Sequence, residues 1–80
     1  MQEQRVANLI REFLEGRFPL ACKVDNEAPL LSGGILDSLA ILEVVGFLEE
    51  EFHVRIMDED LLPKNFQTIA SMAIFLKSKT

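Results

Sequence analysis

The 80-residue chain carries 13 acids against 8 bases and is 49% hydrophobic, a balance that suits one small folded domain over residues 1–80 and excludes a disordered chain. Its net charge of −5 is concentrated, because residues 37–60 hold eight acids and one base, Arg55. Such a field repels nucleic acid and anionic membranes and attracts a basic protein surface, or else serves only as a solvated acidic face.

The first residues, Met-Gln-Glu-Gln-Arg, lack a signal-peptide pattern, and no apolar run is long enough to span a bilayer, so a cytoplasmic protein without membrane insertion is expected. Cys22 is the single cysteine and can form no internal disulfide. Val6, Leu9, Ile10, Phe13 and Leu14 recur at helical spacing, with Arg5, Arg11, Glu12 and Glu15 on the other side. This predicts an amphipathic first helix over about residues 2–15, ended by Gly16 and followed by Pro19. Residues 16–36 form a long connection punctuated by Pro19, Pro29, Gly33 and Gly34. A loop of that length must pack against the body of so small a domain, and Phe18, Leu20, Leu30 and Leu31 are its candidate anchors.

A second helix is predicted from about Ser38 to Phe52. On a helical wheel Ile41, Val44, Val45, Leu48 and Phe52 share one arc, the core stripe. Leu39, Leu42 and Gly46 fall on nearly the opposite arc, edged by Glu43 and Glu50, and Phe47 belongs to neither. A helix buried on one face does not need a second apolar stripe. Either Leu39 and Leu42 pack under the long loop, or they form a docking surface. Gly46 is costly in mid-helix, and its place on the outward stripe suggests a notch for the close approach of a partner.

Residues 53–57 alternate polar and apolar and read as a short extended link with Val54 and Ile56 turned inward. Asp58 to Leu62 reads as one helical turn stopped by Pro63. Phe66, Ile69, Met72, Ala73 and Leu76 mark a last amphipathic helix starting near Thr68, with Lys77 and Lys79 at its C-terminal end. The fold class expected is all-α, a small bundle of three main helices and one short one, with a long loop after the first helix.

The stretch Gly34-Ile35-Leu36-Asp37-Ser38-Leu39 is the chemical centre of the chain. Asp37 and Ser38 are both good N-cap residues, so Ser38 stands where a loop becomes a helix, with its hydroxyl near solvent. The free N–H groups and positive dipole end of that helix favour a phosphate there, although a plain helix cap is the commoner use of such a pair. A hydrolytic triad fails, because His53 is the only histidine. It lies fifteen residues along the same helix, roughly 22 Å from Ser38 at ~1.5 Å per residue, far beyond hydrogen-bonding reach. No metal site is expected either. Asp58 and Asp60 lack the glycine and terminal glutamate of an EF-hand loop, and no Cys/His set exists for zinc.

Gly-Ile-Leu-Asp-Ser-Leu, followed by Glu43 and by Glu49-Glu50-Glu51-Phe52, resembles the acyl and peptidyl carrier proteins, and the resemblance covers nearly the whole chain. It implies a single carrier domain over residues 1–80, of the size of a free-standing monomeric carrier with no catalysis of its own. It implies a 4′-phosphopantetheine cofactor on Ser38, with Asp37 and Leu39 completing the attachment motif. An acyl or aminoacyl group would be held as a thioester on that arm. The partners implied are a phosphopantetheinyl transferase, a loading ligase, and an acyl transferase or synthase with a basic docking surface. Leu39, Leu42, Glu43, Gly46 and Glu50 match the partner-facing positions of that helix, although many relatives carry a bulky apolar residue at Gly46. The segment Leu62-Pro63-Lys64-Asn65-Phe66 resembles the specialised carriers more than the common fatty-acid ones, which points to a specialised lipid, cell-envelope or secondary-metabolite pathway. The reading from another class is an acidic helical adaptor without a prosthetic group, binding a protein through the same Leu39 and Leu42 stripe.

Overall fold

In the computed structural model, which describes residues 3–18 and 24–79, the chain is helical throughout its regular structure. The elements are α1 (Glu3–Arg17), α2 (Ser38–Phe52), a 3₁₀ turn (Asp58–Asp60), α3 (Pro63–Phe66) and α4 (Ile69–Lys79). Pro19, Leu20 and Cys22 lie outside the described residues.

The apolar stripes read from the sequence meet in one core. Val6, Ala7, Ile10 and Leu14 of α1 are buried with Val44, Leu48 and Phe52 of α2, Phe66 of α3, and Ile69, Met72, Ala73, Phe75 and Leu76 of α4. The closest pairing of elements is α1 on α4, with α3 beside α4. Ile41 and Val45 are only half-buried and pack on the rim of that core. Phe47, which the wheel left between two stripes, stacks on Phe13 of α1 with ring centroids 4.1 Å apart and meets Phe52 edge-on at 6.4 Å. It is the aromatic hinge between α1 and α2.

Two expected boundaries are corrected. Helix α1 does not stop at Gly16 but runs through it to Arg17, and the Phe18 amide donates to Leu14 O at 2.7 Å to close the last turn. Tertiary contacts outweigh the local cost of glycine there, since Phe18 packs against the core and Arg17 reaches across to Glu43 of α2. Pro63 does not stop a helix but begins one. It stands at the start of α3 after an extended Leu62, where its missing N–H has no helical partner to lose. The turn before it is shorter than expected, Asp58–Asp60, with Leu61 and Leu62 outside it. Helix α4 begins where expected, with Thr68 and Ser71 exchanging backbone-to-hydroxyl hydrogen bonds of 3.0 and 2.9 Å.

The loop before α2 is anchored as its length requires. Leu30 is fully buried; its amide donates to Gln67 O at 2.7 Å, and its carbonyl accepts from Ile35 and Leu36. The Gln67 side-chain carbonyl accepts from the Leu31 and Ser32 amides, and Arg11 of α1 donates to Val24 O and to Asn26 Oδ1. The two glycines set a fixed turn. A Cβ at Gly33 would lie 2.3 Å from Pro29 O, and Gly34 has φ +76°, a left-handed conformation suited to glycine.

Candidate functional site

The turn at Gly33 and Gly34 delivers Leu36 into the core and Asp37 to the start of α2. Asp37 is the N-cap. Its backbone is extended (φ −114°, ψ −174°), its Oδ1 accepts from the Ala40 amide at 2.8 Å, and its carbonyl accepts from Ile41 at 2.9 Å. Ser38 is therefore the first helical residue and not the cap. Its hydroxyl is exposed and makes no hydrogen bond among the described residues. Ser71 and Ser78 donate to backbone carbonyls at 2.9 and 2.6 Å; the Ser32 hydroxyl is also exposed and unbonded among the described residues, but it lies in the loop and not at a helix start, with its amide bound to Gln67.

Among the described residues no base stands beside Ser38. His53 caps the far end of the same helix in a left-handed conformation, and the Asp37 carboxylate is engaged by the Ala40 amide. Ser38 is thus a poor nucleophile by itself, with a hydroxyl open to solvent. Among the described residues no group of three acids, histidines or cysteines is placed to hold a metal.

Beside Ser38 lies an open groove of about 620 Å³. Its walls come from Leu31 and Leu36 of the loop, Ile41 and Leu42 of α2, and Leu61, Leu62 and Phe66 beyond it. Leu61 and Leu62 read from the sequence as part of a helical turn; their half-exposed side chains were not recognisable as lining this groove. Residues outside the repeating helical pattern carry no such signal. The residues present fit a phosphopantetheine arm: a free hydroxyl, the N-terminus of a fifteen-residue helix for the phosphate, and a largely apolar trough alongside.

Leu39 and Leu42 are 75% and 60% exposed. They do not pack under the loop, which corrects the burial alternative. Glu43, Gly46 and Glu50 are exposed on the same side of α2. Glu43 is held by Arg17 at the end of α1, Nε to Oε2 2.7 Å. That hydrogen bond lowers the Glu43 carboxyl below its ordinary range and raises the Arg17 guanidinium above its own. Arg17 was not singled out by sequence reasoning, since a lone base after Gly16 gives no sign of what it faces.

A family described as "Phosphopantetheine attachment site" matches residues 4–76. The chain is 30% identical over 77 residues, 96% of its length and 85% of the relative's, to the probable acyl carrier protein PigG of Serratia sp. (strain ATCC 39006). It also superposes on a solved chain from a structure titled "Crystal structure of FAD-dependent dehydrogenase" with a TM-score of 0.69 and 29% identity, covering 89% of this chain and 97% of that one.

Proposed function

The chain belongs to the phosphopantetheine-attachment family of carrier proteins, and on that premise we propose that Ser38 bears the prosthetic group and that α2 presents it to partner enzymes. Members of this family carry groups for other enzymes, so the protein is a carrier and not an enzyme, and its cofactor is phosphopantetheine. The observation that supports Ser38 is its place: the first residue of α2, exposed, with its hydroxyl uncommitted beside the groove. Asp37 fixes the helix start through the Ala40 amide, and Leu39 stands exposed next to the attachment point.

When bound, the arm supplies a thiol that holds an acyl or aminoacyl group as a thioester. The chain's own residues position that arm. The buried Leu30 and Leu36 and the Gly33–Gly34 turn fix where α2 begins, and Leu39, Leu42, Glu43, Gly46 and Glu50 form the face that meets partners. A phosphopantetheinyl transferase follows from the family; a loading ligase and an acyl transferase or synthase with a basic docking surface complete the proposed set, with the carrier acting as a monomer. A specialised lipid, cell-envelope or secondary-metabolite pathway is the reading supported by the Leu62–Phe66 segment. The family match leaves the adaptor without a prosthetic group unsupported. Intact mass after incubation with a phosphopantetheinyl transferase and coenzyme A tests the reading. A carrier gains the mass of one arm, and an adaptor gains none.

A further inference from the structure

Gln67 stands between α3 and α4 and holds the loop that leads to Ser38. It follows Phe66, which is buried and, like Leu31 of the loop, lines the groove. Its backbone carbonyl accepts from the Leu30 amide at 2.7 Å, and its side-chain Oε1 accepts from the next two amides, Leu31 at 3.0 Å and Ser32 at 3.1 Å. A carbonyl oxygen has two lone pairs, so one side chain satisfies both amides. Leu31 and Ser32 lie in a turn outside any helix, where no regular ladder supplies an acceptor.

The hold on these amides reaches Ser38 through the backbone. Leu30 O accepts from Ile35 and Leu36 at 2.9 and 3.0 Å, Pro29 O from Gly33 at 3.0 Å, and Leu31 O from Gly34 at 3.2 Å. Residues 29–36 are thereby closed into one turn, and Asp37 and Ser38 follow it directly. Buried Leu30 and Leu36 pin the turn to the core, but apolar packing is non-directional. Hydrogen bonds are directional, so Gln67 sets how the turn is oriented on the body.

We propose that Gln67 is a positioning residue for the loading of Ser38: by holding the Leu31 and Ser32 amides it keeps the first turn of α2 in the one orientation that presents the hydroxyl to a phosphate donor. The proposal rests on the carrier reading and adds to it a residue from the other end of the chain. Gln67 does not line the groove, so it acts through the loop. An attacking oxygen must lie about 3–3.5 Å from the atom it attacks, and small misplacements are costly in rate. Leu39 and Leu42, which dock the partner in the proposed function, keep their exposed places on α2. Loss of the Gln67 acceptor therefore lowers kcat more than it raises KM.

The test is loading of the full chain from coenzyme A by a phosphopantetheinyl transferase, measured for wild type, Gln67→Leu, Gln67→Glu and Val6→Ala. Leucine keeps the bulk and removes the acceptor, and glutamate keeps an oxygen for both amides. Val6→Ala removes core volume and leaves these hydrogen bonds intact. Gln67→Leu is expected to lower kcat about two- to ten-fold, the range of one net hydrogen bond, with KM changed by less than about two-fold. Gln67→Glu should keep the wild-type kcat, and Val6→Ala should keep it while lowering the melting temperature. Amide hydrogen exchange reads the loop independently of loading: Leu31 and Ser32 should be protected in wild type and Gln67→Glu and lose protection in Gln67→Leu. Gln67→Met replaces the leucine variant should that one fail to fold. A wild-type kcat or unchanged exchange in Gln67→Leu overturns the positioning role, as does an equal loss of kcat in Gln67→Glu or Val6→Ala. If wild type itself gains no arm, the carrier reading fails and the positioning role falls with it, an outcome distinct from these.

Discussion

Gly46→Ala should make the isolated domain more stable. Glycine in the interior of a helix costs roughly 0.5–1 kcal/mol relative to alanine, because the unfolded chain has more freedom to lose. The sign at any one site depends on what the new methyl group meets. At Gly46 it meets nothing within 4 Å, on an exposed face of α2, so the full gain is available. In a domain of this size about 0.5–1 kcal/mol corresponds to a rise in melting temperature of roughly 2–8 °C. Gly16 in α1 has the same open surroundings and should respond alike. Gly33 should respond in the opposite sense, since a Cβ there would lie 2.3 Å from the backbone oxygen of Pro29. Thermal melts of the three alanine variants, followed by far-UV circular dichroism, give the comparison. A lower melting temperature for Gly46→Ala would refute the reasoning, because it would mean that this face of α2 lies against another part of the chain.

Leu30→Ala removes a fully buried side chain that ties the loop to the body; a loss of about 2–5 kcal/mol is expected, measured by urea titration. The Leu39→Ala, Leu42→Ala pair should change stability by about 0.5 kcal/mol or less while raising KM for loading, since both side chains face solvent; a large loss of stability would show that they belong to the core. Asp60 has its carboxyl lowered below the ordinary 3.8, first by the Lys79 ammonium at 2.6 Å and then by the Met57 amide. A lowered folded-state value contributes stability above the ordinary range and loses it as pH falls through the folded value. Melting temperatures taken from neutral pH into acid should therefore fall less steeply below 3.8 for Asp60→Asn than for wild type.

The core was legible because periodicity reports it directly in the long helices: Val44, Leu48, Phe52, Ile69, Met72, Ala73 and Leu76 were assigned inward and are buried, while Ile41 and Val45, assigned to the same stripe, lie half-buried on its rim. The exposed stripe of Leu39, Leu42 and Gly46 was legible for the same reason, as a surplus of apolar residues on the wrong arc. Element ends were less so. Gly16 and Pro63 are helix breakers by local propensity, yet the first is carried through by the packing of Phe18 on the core and the pair of Arg17 with Glu43, and the second starts a helix because proline is tolerated at that position. The cap was assigned to a pair, Asp37 or Ser38; only the geometry separates them, and it leaves the serine hydroxyl free. Arg17 on Glu43, Phe47 on Phe13, and Leu61 and Leu62 beside Ser38 are pairings between segments far apart in the chain, for which the spacing along any one helix holds no signal.

The claim on which the account turns is that Ser38 alone carries the arm, and residue-resolved mass spectrometry tests it most directly. Wild type and Ser38→Ala are incubated with a phosphopantetheinyl transferase and coenzyme A, and each product is weighed intact and then fragmented. Because Asp37 and not Ser38 caps α2, the alanine variant should keep its helicity and melting temperature. The account predicts a single added arm located on Ser38 in wild type and none in the folded variant. An arm on Ser32, or undiminished loading of Ser38→Ala, would contradict it.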